Sequence, residues 1–295
     1  MTLLVFGKTG QVATELGLAA ADHITALDRT EADLTDPAAC AAAIRRIAPR
    51  AVINAAAYTN VDQAEDKEDL ATRINAAAPG AMAAACADLG IPLVHLSTDY
   101  VFSGAGTAPW PPEAAIAPIG AYGRSKAKGE VAVRTAGGVH AIVRTSWIVS
   151  AYGKNFVKTL LRLGPTRVAL PVVADQTGGP TPARAIAQAC LNIAAQLIVS
   201  PNKTGTYHFA GAPDTSWADF GRAIFRQAGV PCDITDIPSA AYPTKAIRPL
   251  NSRLDCRTTE DKFQITRPDW RVHLAHILTQ VRGTDTHSSI APPPL

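Results

Sequence analysis

The segment Leu3–Ala13, LLVFGKTGQVA, constrains the fold more than any other in the chain. A short apolar run stops at Gly7, a turn follows, and a helix-period segment begins at about Gly10. The same rhythm then repeats. HITALD, RAVINAAA, PLVHLST and HAIVRTSW read as further strands, separated by helical segments near 10–20, 36–48 and 71–90 and by one that opens at Tyr122. Asp36 supplies an N-cap, Pro37 a first helical position and Gly90 a helix stop. Strands spaced by helices of this length cannot pair through hairpins. They require crossovers, and crossovers give an α/β fold with a parallel, doubly wound sheet of the Rossmann type.

Beyond Gly164 the rhythm loosens. VALPVVADQTGGPTP predicts loop with a short strand, and helices are expected near 182–198, 216–229 and 270–281, with GTYHFAG a strand between the first two. The expected division is a nucleotide-binding domain over 1–164 and a smaller lobe over 165–282, interleaved with the first. The polar, then Pro-rich residues 283–295 are expected to be a flexible tail.

Glycine spacing gives the first functional signal. Gly7 allows a tight exit from the strand, Gly10 lets a pyrophosphate approach the backbone, and Ala13 lets the helix lie close to the sheet. The helix N-terminus then offers N–H groups to phosphate oxygens. Asp28 ends the second strand about twenty residues on, where a carboxylate binds ribose hydroxyls. Arg29 beside it suits a 2′-phosphate, so NADH and NADPH both remain open. Asp33 and Leu34 can close over an adenine, and Ala55, Ala56 and Ala57 leave room for a cofactor at the end of the third strand.

The second signal is YGRSK. Tyr122 and Lys126 stand four apart and share a helix face. A free phenol has a pKa near ~10, and a neighbouring ammonium is expected to lower it. Alone, the spacing describes countless surface helices. Behind a nucleotide loop, and beside the Ser97–Thr98 pair of HLSTDYVF, it suits proton delivery to a carbonyl oxygen.

Charge and cysteines narrow the class further. A net charge of +3 gives no argument for nucleic acid or an anionic membrane. The five cysteines lie far apart without CxxC spacing, which argues against a disulfide framework and for a reducing cytoplasm. No apolar run reaches membrane-spanning length, and the N-terminus has no signal-peptide pattern.

The loop GKTGQV with STDYVF, YGRSKAKGE, VRTSW, VVADQTGGPTPA and RPLNSRL resembles the extended short-chain dehydrogenase/reductase family. Within it, the chain is similar to the reductases of dTDP-linked 4-keto-6-deoxy sugars, over nearly its whole length. The resemblance implies NADH or NADPH as cofactor, with Thr9, Gly10, Gln11 and Val12 on the pyrophosphate and Asp28, Asp33 and Leu34 on the adenosine. It implies Tyr122 as proton donor, Lys126 as its partner, and Thr98 as the hydroxyl that tunes the transfer. Thr98 and Asp99 would touch the sugar and Trp147 would pack on it. Asn155, Phe156 and the segment Arg248–Ser252, with Asn251, would help hold the nucleotide-sugar.

Some members of this group form a dimer bridged by magnesium through glutamates. Glu15 matches one of these, but Arg184 stands at the other and would repel a cation. No metal site is therefore expected, Glu15 is expected to be an exposed carboxylate, and a homodimer of another kind stays open. Two alternatives within the resemblance are a sugar-nucleotide epimerase or dehydratase, and a non-catalytic NADP-binding regulatory subunit of methionine adenosyltransferase. Dehydratases usually carry Asp-Glu after the threonine, whereas Asp99 here is followed by Tyr100.

Overall fold

The computed structural model describes residues 2–288, with side chains described as far as residue 283. Its first half alternates as the sequence predicts: β1 (Leu3–Phe6), α1 (Gln11–Ala19), β2 (Ile24–Leu27), α2 (Pro37–Ile47), β3 (Ala51–Asn54), α3 (Val61–Ala64), α4 (Glu68–Thr72), α5 (Ala78–Asp88), β4 (Leu93–Thr98), α6 (Ala121–Thr135) and β5 (His140–Thr145). The second half holds β6 (Ile148–Val149), α7 (Phe156–Leu163), β7 (Ala169–Val173), β8 (Thr177–Gly178), β9 (Thr181–Pro182), α8 (Ala183–Val199) and β10 (Gly205–His208). After them come β11 (Thr215–Ser216), α9 (Trp217–Ala228), β12 (Asp233–Ile237), β13 (Asn251–Ser252), α10 (Arg257–Phe263) and α11 (Trp270–Ser288).

The central sheet runs β10-β5-β4-β3-β1-β2, and every neighbour pair in it is parallel. Its strands are hydrophobic on both faces because helices cover both. One core packs α1 and α8 on the sheet through Leu16, Ile186 and Ile193. The other packs α2 and α5 through Ile44 and Met82. From β1 the chain crosses to β2 on one side and then to β3 on the other. That reversal opens a crevice at the carboxyl ends of the strands, the general ligand position in such sheets. A third core, around Phe220, Phe225, Trp270 and Leu274, joins α7, α9 and α11 beside the parallel pair β7–β12.

Five elements depart from the sequence reading. The helix expected over 71–90 is interrupted by a π-turn over Arg73–Ala77 just before Pro79. Proline has no N–H to continue the ladder, and the wider turn accommodates it. Helices α7 and α10 and strand β12 were not foreseen, because their short patterns are completed only by packing: α7 on α9, α10 on α8 and β10, and β12 on β7. Helix α11 runs to Ser288 rather than to 281. The remainder of the expected tail, 289–295, lies outside the described residues.

Glu15 corrects a second expectation. It is buried in α1, not exposed, and faces Arg184, His276 and the Ser150 hydroxyl. Burial raises its pKa and Arg184 opposes the rise. Arg184 in turn lies 3.0 Å from His276 Nε2. No helix among the described residues is long and apolar enough to cross a membrane. The five cysteines are free and buried.

Candidate active site

The glycine turn forms as its spacing requires. Gly7 has φ of 102°, a conformation glycine adopts at no steric cost. Gly10 is the N-cap of α1 and offers no side-chain cap, so the first N–H groups of the helix face the crevice unpaired by it. A Cβ at Gly10 would meet no protein atom. The bare position therefore serves space outside the chain rather than packing within it. These features fit a dinucleotide pyrophosphate.

A cleft of about 610 Å³ starts at this turn. It is lined by Gly7, Thr9, Gly10, Gln11 and Val12, then by Asp28, Arg29, Asp33 and Leu34, and by Ala55, Ala56 and Ala57. It ends at Tyr122 and Lys126. Asp28 is less free than expected. Its Oδ1 accepts from the Thr30 hydroxyl at 2.6 Å and the Thr30 N–H at 2.9 Å, and these bonds keep its pKa low. Lys8 approaches Asp28 at 3.9 Å and Glu31 at 3.6 Å. Arg29 donates to Asp33 at 3.2 Å. The sequence reading passed over Lys8, although it stands inside the glycine loop itself.

Helix α6 carries Tyr122 and Lys126 to the far end because its glycines permit very close packing. A Cβ at Gly123 would stand 2.1 Å from the Tyr100 carbonyl oxygen, and one at Gly129 would stand 2.0 Å from that of Asn75. Asn75, in the π-turn, donates to Ser125 Oγ at 2.9 Å, and Ser125 donates to the Tyr122 carbonyl at 2.7 Å. Behind the helix, Glu130 receives two bonds from Arg144, at 2.8 and 2.7 Å, and one from Ser97 at 2.6 Å. Ser97 and Thr98 thus face opposite ways along β4, Ser97 toward this buried pair and Thr98 toward Tyr122.

The electrostatics differ from the simple expectation of an acidified phenol. Burial pushes Tyr122 up to about 12; the hydroxyl contact with Thr98 opposes that rise and the charge of Asp99 adds to it. The Lys126 ammonium does not offset this. It is drawn toward the sheet, where Nζ donates to the Leu96 carbonyl at 2.6 Å. Burial lowers Lys126 to about 8 against the pull of Glu130. Burial also raises Asp99 to about 6, although Ser252 and Thr98 hydrogen-bond it. Its Oδ2 is buried without a partner.

A second cavity of about 660 Å³ adjoins the first at Tyr100, whose ring meets that of Tyr122 edge-on at 5.6 Å. Phe156 and Arg248 line it, together with Trp217, Val172, Gln176 and Tyr242. The last four were not singled out from the sequence, because only the lobe's packing brings them together. Arg248 is paired with Asp62, at 2.9 and 3.2 Å.

Five of the residues named for the sugar nucleotide line neither cavity: Thr98 and Asp99, both buried beside Tyr122, and three more. Asn155 caps α7 by accepting from Lys158 N–H, and its amide donates to Gln11 Oε1 at 2.9 Å. Asn251 is buried and donates to the Ala108 carbonyl at 2.8 Å. Trp147 has φ of 50° and stacks on Trp217 with centroids 3.6 Å apart.

A doubly wound parallel sheet, a glycine turn at its switch point and a Tyr–Lys pair at the end of the same cleft define the short-chain dehydrogenase/reductase class. Residues 1–282 match the family model described as RmlD substrate binding domain. A dTDP-4-dehydrorhamnose reductase of Sinorhizobium fredii is 44% identical over 92% of this chain and 94% of its own. Another, of Salmonella typhimurium, is 38% identical over 97% and 100%. The structure of dTDP-4-dehydrorhamnose reductase from Bacillus anthracis in complex with NADP is 33% identical, with a TM-score of 0.88 over 95% of this chain and 99% of that one. The chain belongs to the RmlD family of dTDP-4-dehydrorhamnose reductases.

Proposed function

We propose that the protein reduces the C4 keto group of dTDP-4-dehydro-6-deoxy-L-mannose to give dTDP-L-rhamnose, with NADPH or NADH as reductant. The observation that carries this reading is the meeting of Tyr122 and Lys126, with Thr98 against the Tyr122 hydroxyl, at one end of a cleft whose other end is the uncapped N-terminus of α1. Residues 1–164 hold the cofactor, and 165–282 hold the nucleotide-sugar against them. The second cavity, apolar with Arg248 at its rim, suits a base and diphosphate. Free, buried cysteines suit a reducing cytoplasm.

When bound, the nicotinamide supplies hydride to the carbonyl carbon. The chain's own part is the proton. A phenol held near 12 is fully protonated at neutral pH, which is the state a reduction requires of its acid. It gives that proton to the alkoxide oxygen as negative charge develops there. The Thr98 hydroxyl, which donates to Asp99 Oδ1 at 3.1 Å, turns its one proton toward the phenolate left behind, and Lys126 keeps a positive charge on the same helix face. Asp99, whose Oδ2 is buried without a partner beside Tyr122, would accept from a sugar hydroxyl and orient the ring.

The test is absorbance at the nicotinamide band on mixing the protein, NADPH or NADH, and the keto sugar. Stoichiometric oxidation with formation of the 6-deoxyhexose supports the reading. Conversion without net cofactor consumption would instead show an epimerase or dehydratase. Cofactor binding without any turnover would point to a regulatory subunit.

A further inference from the structure

Behind Lys126 lies a row of polar groups that the proton transfer above does not use. Lys126 Nζ, bonded to the Leu96 carbonyl, is also 3.4 Å from His95 Nε2. His95 Nδ1 is 3.1 Å from the amide nitrogen of Asn54. Neither His95 nor Asn54 has any exposure.

The backbone fixes which way this row is polarised. Asn54 Oδ1 accepts the Ala56 N–H at 3.2 Å, so the NH₂ end of the amide is the end that faces the imidazole. A donor against Nδ1 requires Nδ1 to be bare. His95 is neutral, because burial first, then the charges of Lys126 and His140, hold it well below the usual imidazole range. A neutral imidazole with a bare Nδ1 carries its hydrogen on Nε2. That hydrogen points at the lysine nitrogen.

We propose that His95, oriented by Asn54, is a positioning residue that weakens the hold of Lys126 on its third proton. The Nε2–H opposes an ammonium and offers a donor to the lone pair of a neutral amine. The Leu96 carbonyl takes one N–H of Lys126, whose side chain also lines the cleft. The proposal deepens the reductase reading and rests on it, since the charge of Lys126 matters only where Tyr122 works. Facing the lysine on its own helix are Tyr122 and Glu130; Glu130 pulls the other way and is itself held by Arg144 and Ser97. From the sheet the facing group is His95, with His140 acting on it in turn.

Two measurements decide the matter. The first is ¹⁵N NMR of the imidazoles in the full-length protein between pH 6 and 9, with His95→Gln identifying the signal. A bare Nδ1 and a protonated Nε2 throughout is the expected result; the opposite tautomer, or titration to imidazolium, overturns the proposal. This readout needs no turnover, so it stands even if the keto-sugar assay fails and the reductase reading falls. The second is the pH profile of turnover in His95→Leu, which keeps the burial and removes the N–H. The alkaline limb is expected to move up by about half a pH unit or more, with cofactor KM within a few-fold of wild type. A limb that stays in place or moves down overturns the proposal. Should the leucine variant fail to fold, the tautomer decides alone.

Discussion

Gly123 and Tyr100 set the register of the candidate active site: the α-carbon of one lies so near the carbonyl of the other that a single methyl group would stand 2.1 Å from the oxygen. This contact seats α6 on the turn after β4 and thereby brings Tyr122 to Thr98. Gly123→Ala must push the helix away. The expected outcome is a loss of about 2–4 kcal/mol in stability and a fall in turnover of about 100-fold or more, because a misplacement near 1 Å already costs that much. Urea unfolding and the NADPH oxidation assay check the two halves separately. A variant with wild-type turnover would remove the link between this packing and the site.

Tyr122→Phe removes the proposed proton donor and little else. Turnover is expected to fall by about 10²–10⁴-fold, the usual contribution of general acid catalysis. The cofactor's dissociation constant, read by fluorescence titration, should stay within a few-fold of wild type. Near-normal turnover with normal cofactor binding would take the role away from this phenol.

Lys126 is costly to bury, and its sign is unlike that of most charges in folded proteins. Its folded pKa, about 8, lies below the unfolded value near ~10.4. Between those two values the unfolded chain holds a proton that the native state has released, so stability rises as pH rises through that window. Below about pH 8 the native state carries the full cost of the charge. Lys126→Met should therefore raise the melting temperature at pH 7, by an amount on the order of 2–3 kcal/mol in free energy. The advantage should shrink as pH approaches 10. Thermal melts of both proteins across pH 6–10 measure it, and a variant less stable than wild type at pH 7 contradicts the argument.

Much of the fold was legible because each early strand and helix declares itself locally. LLVF and PLVHLST are short and apolar, and Asp36–Pro37 and Gly90 mark helix ends. The lobe was less legible. Strand β12 (DITDI) has the alternation of an edge strand and gains its identity only by pairing with β7, and α7 acquires its buried face only against α9. The residues that line the first cleft were readable because a turn, a helix N-terminus and a strand end recur at fixed spacings. Those of the second cavity were less readable, because they converge from distant segments. Asn155 and Asn251 were named for the sugar nucleotide, whereas both amides are spent on the chain's own backbone and side chains. The Tyr122–Lys126 spacing was visible, but not that the Leu96 carbonyl would draw the ammonium to the sheet, beside His95. Sequence spacing gives a shared helix face and says nothing of what lies behind it.

Cofactor choice turns on cations at the adenosine end of the cleft. Asp28 is the residue that ordinarily rejects a 2′-phosphate, yet its Oδ1 is already engaged by Thr30 and its charge is offset by Lys8. Lys8 and Arg29 are both well exposed and are held only by surface ion pairs, which are worth little and exchange readily. Either can leave Glu31 or Asp33 for a phosphate. Lys8→Ala with Arg29→Ala should raise the KM for NADPH by about 10-fold, two weak charge contacts together, while the KM for NADH changes less than about twofold. Steady-state kinetics with both cofactors at one ionic strength measures the pair of values. Added salt should weaken NADPH binding in the wild type more than in the double variant, because screening acts on the contacts that the variant lacks. Equal losses for the two cofactors would mean that these cations serve the pyrophosphate or the loop itself, and that the 2′-phosphate is recognised by some other group.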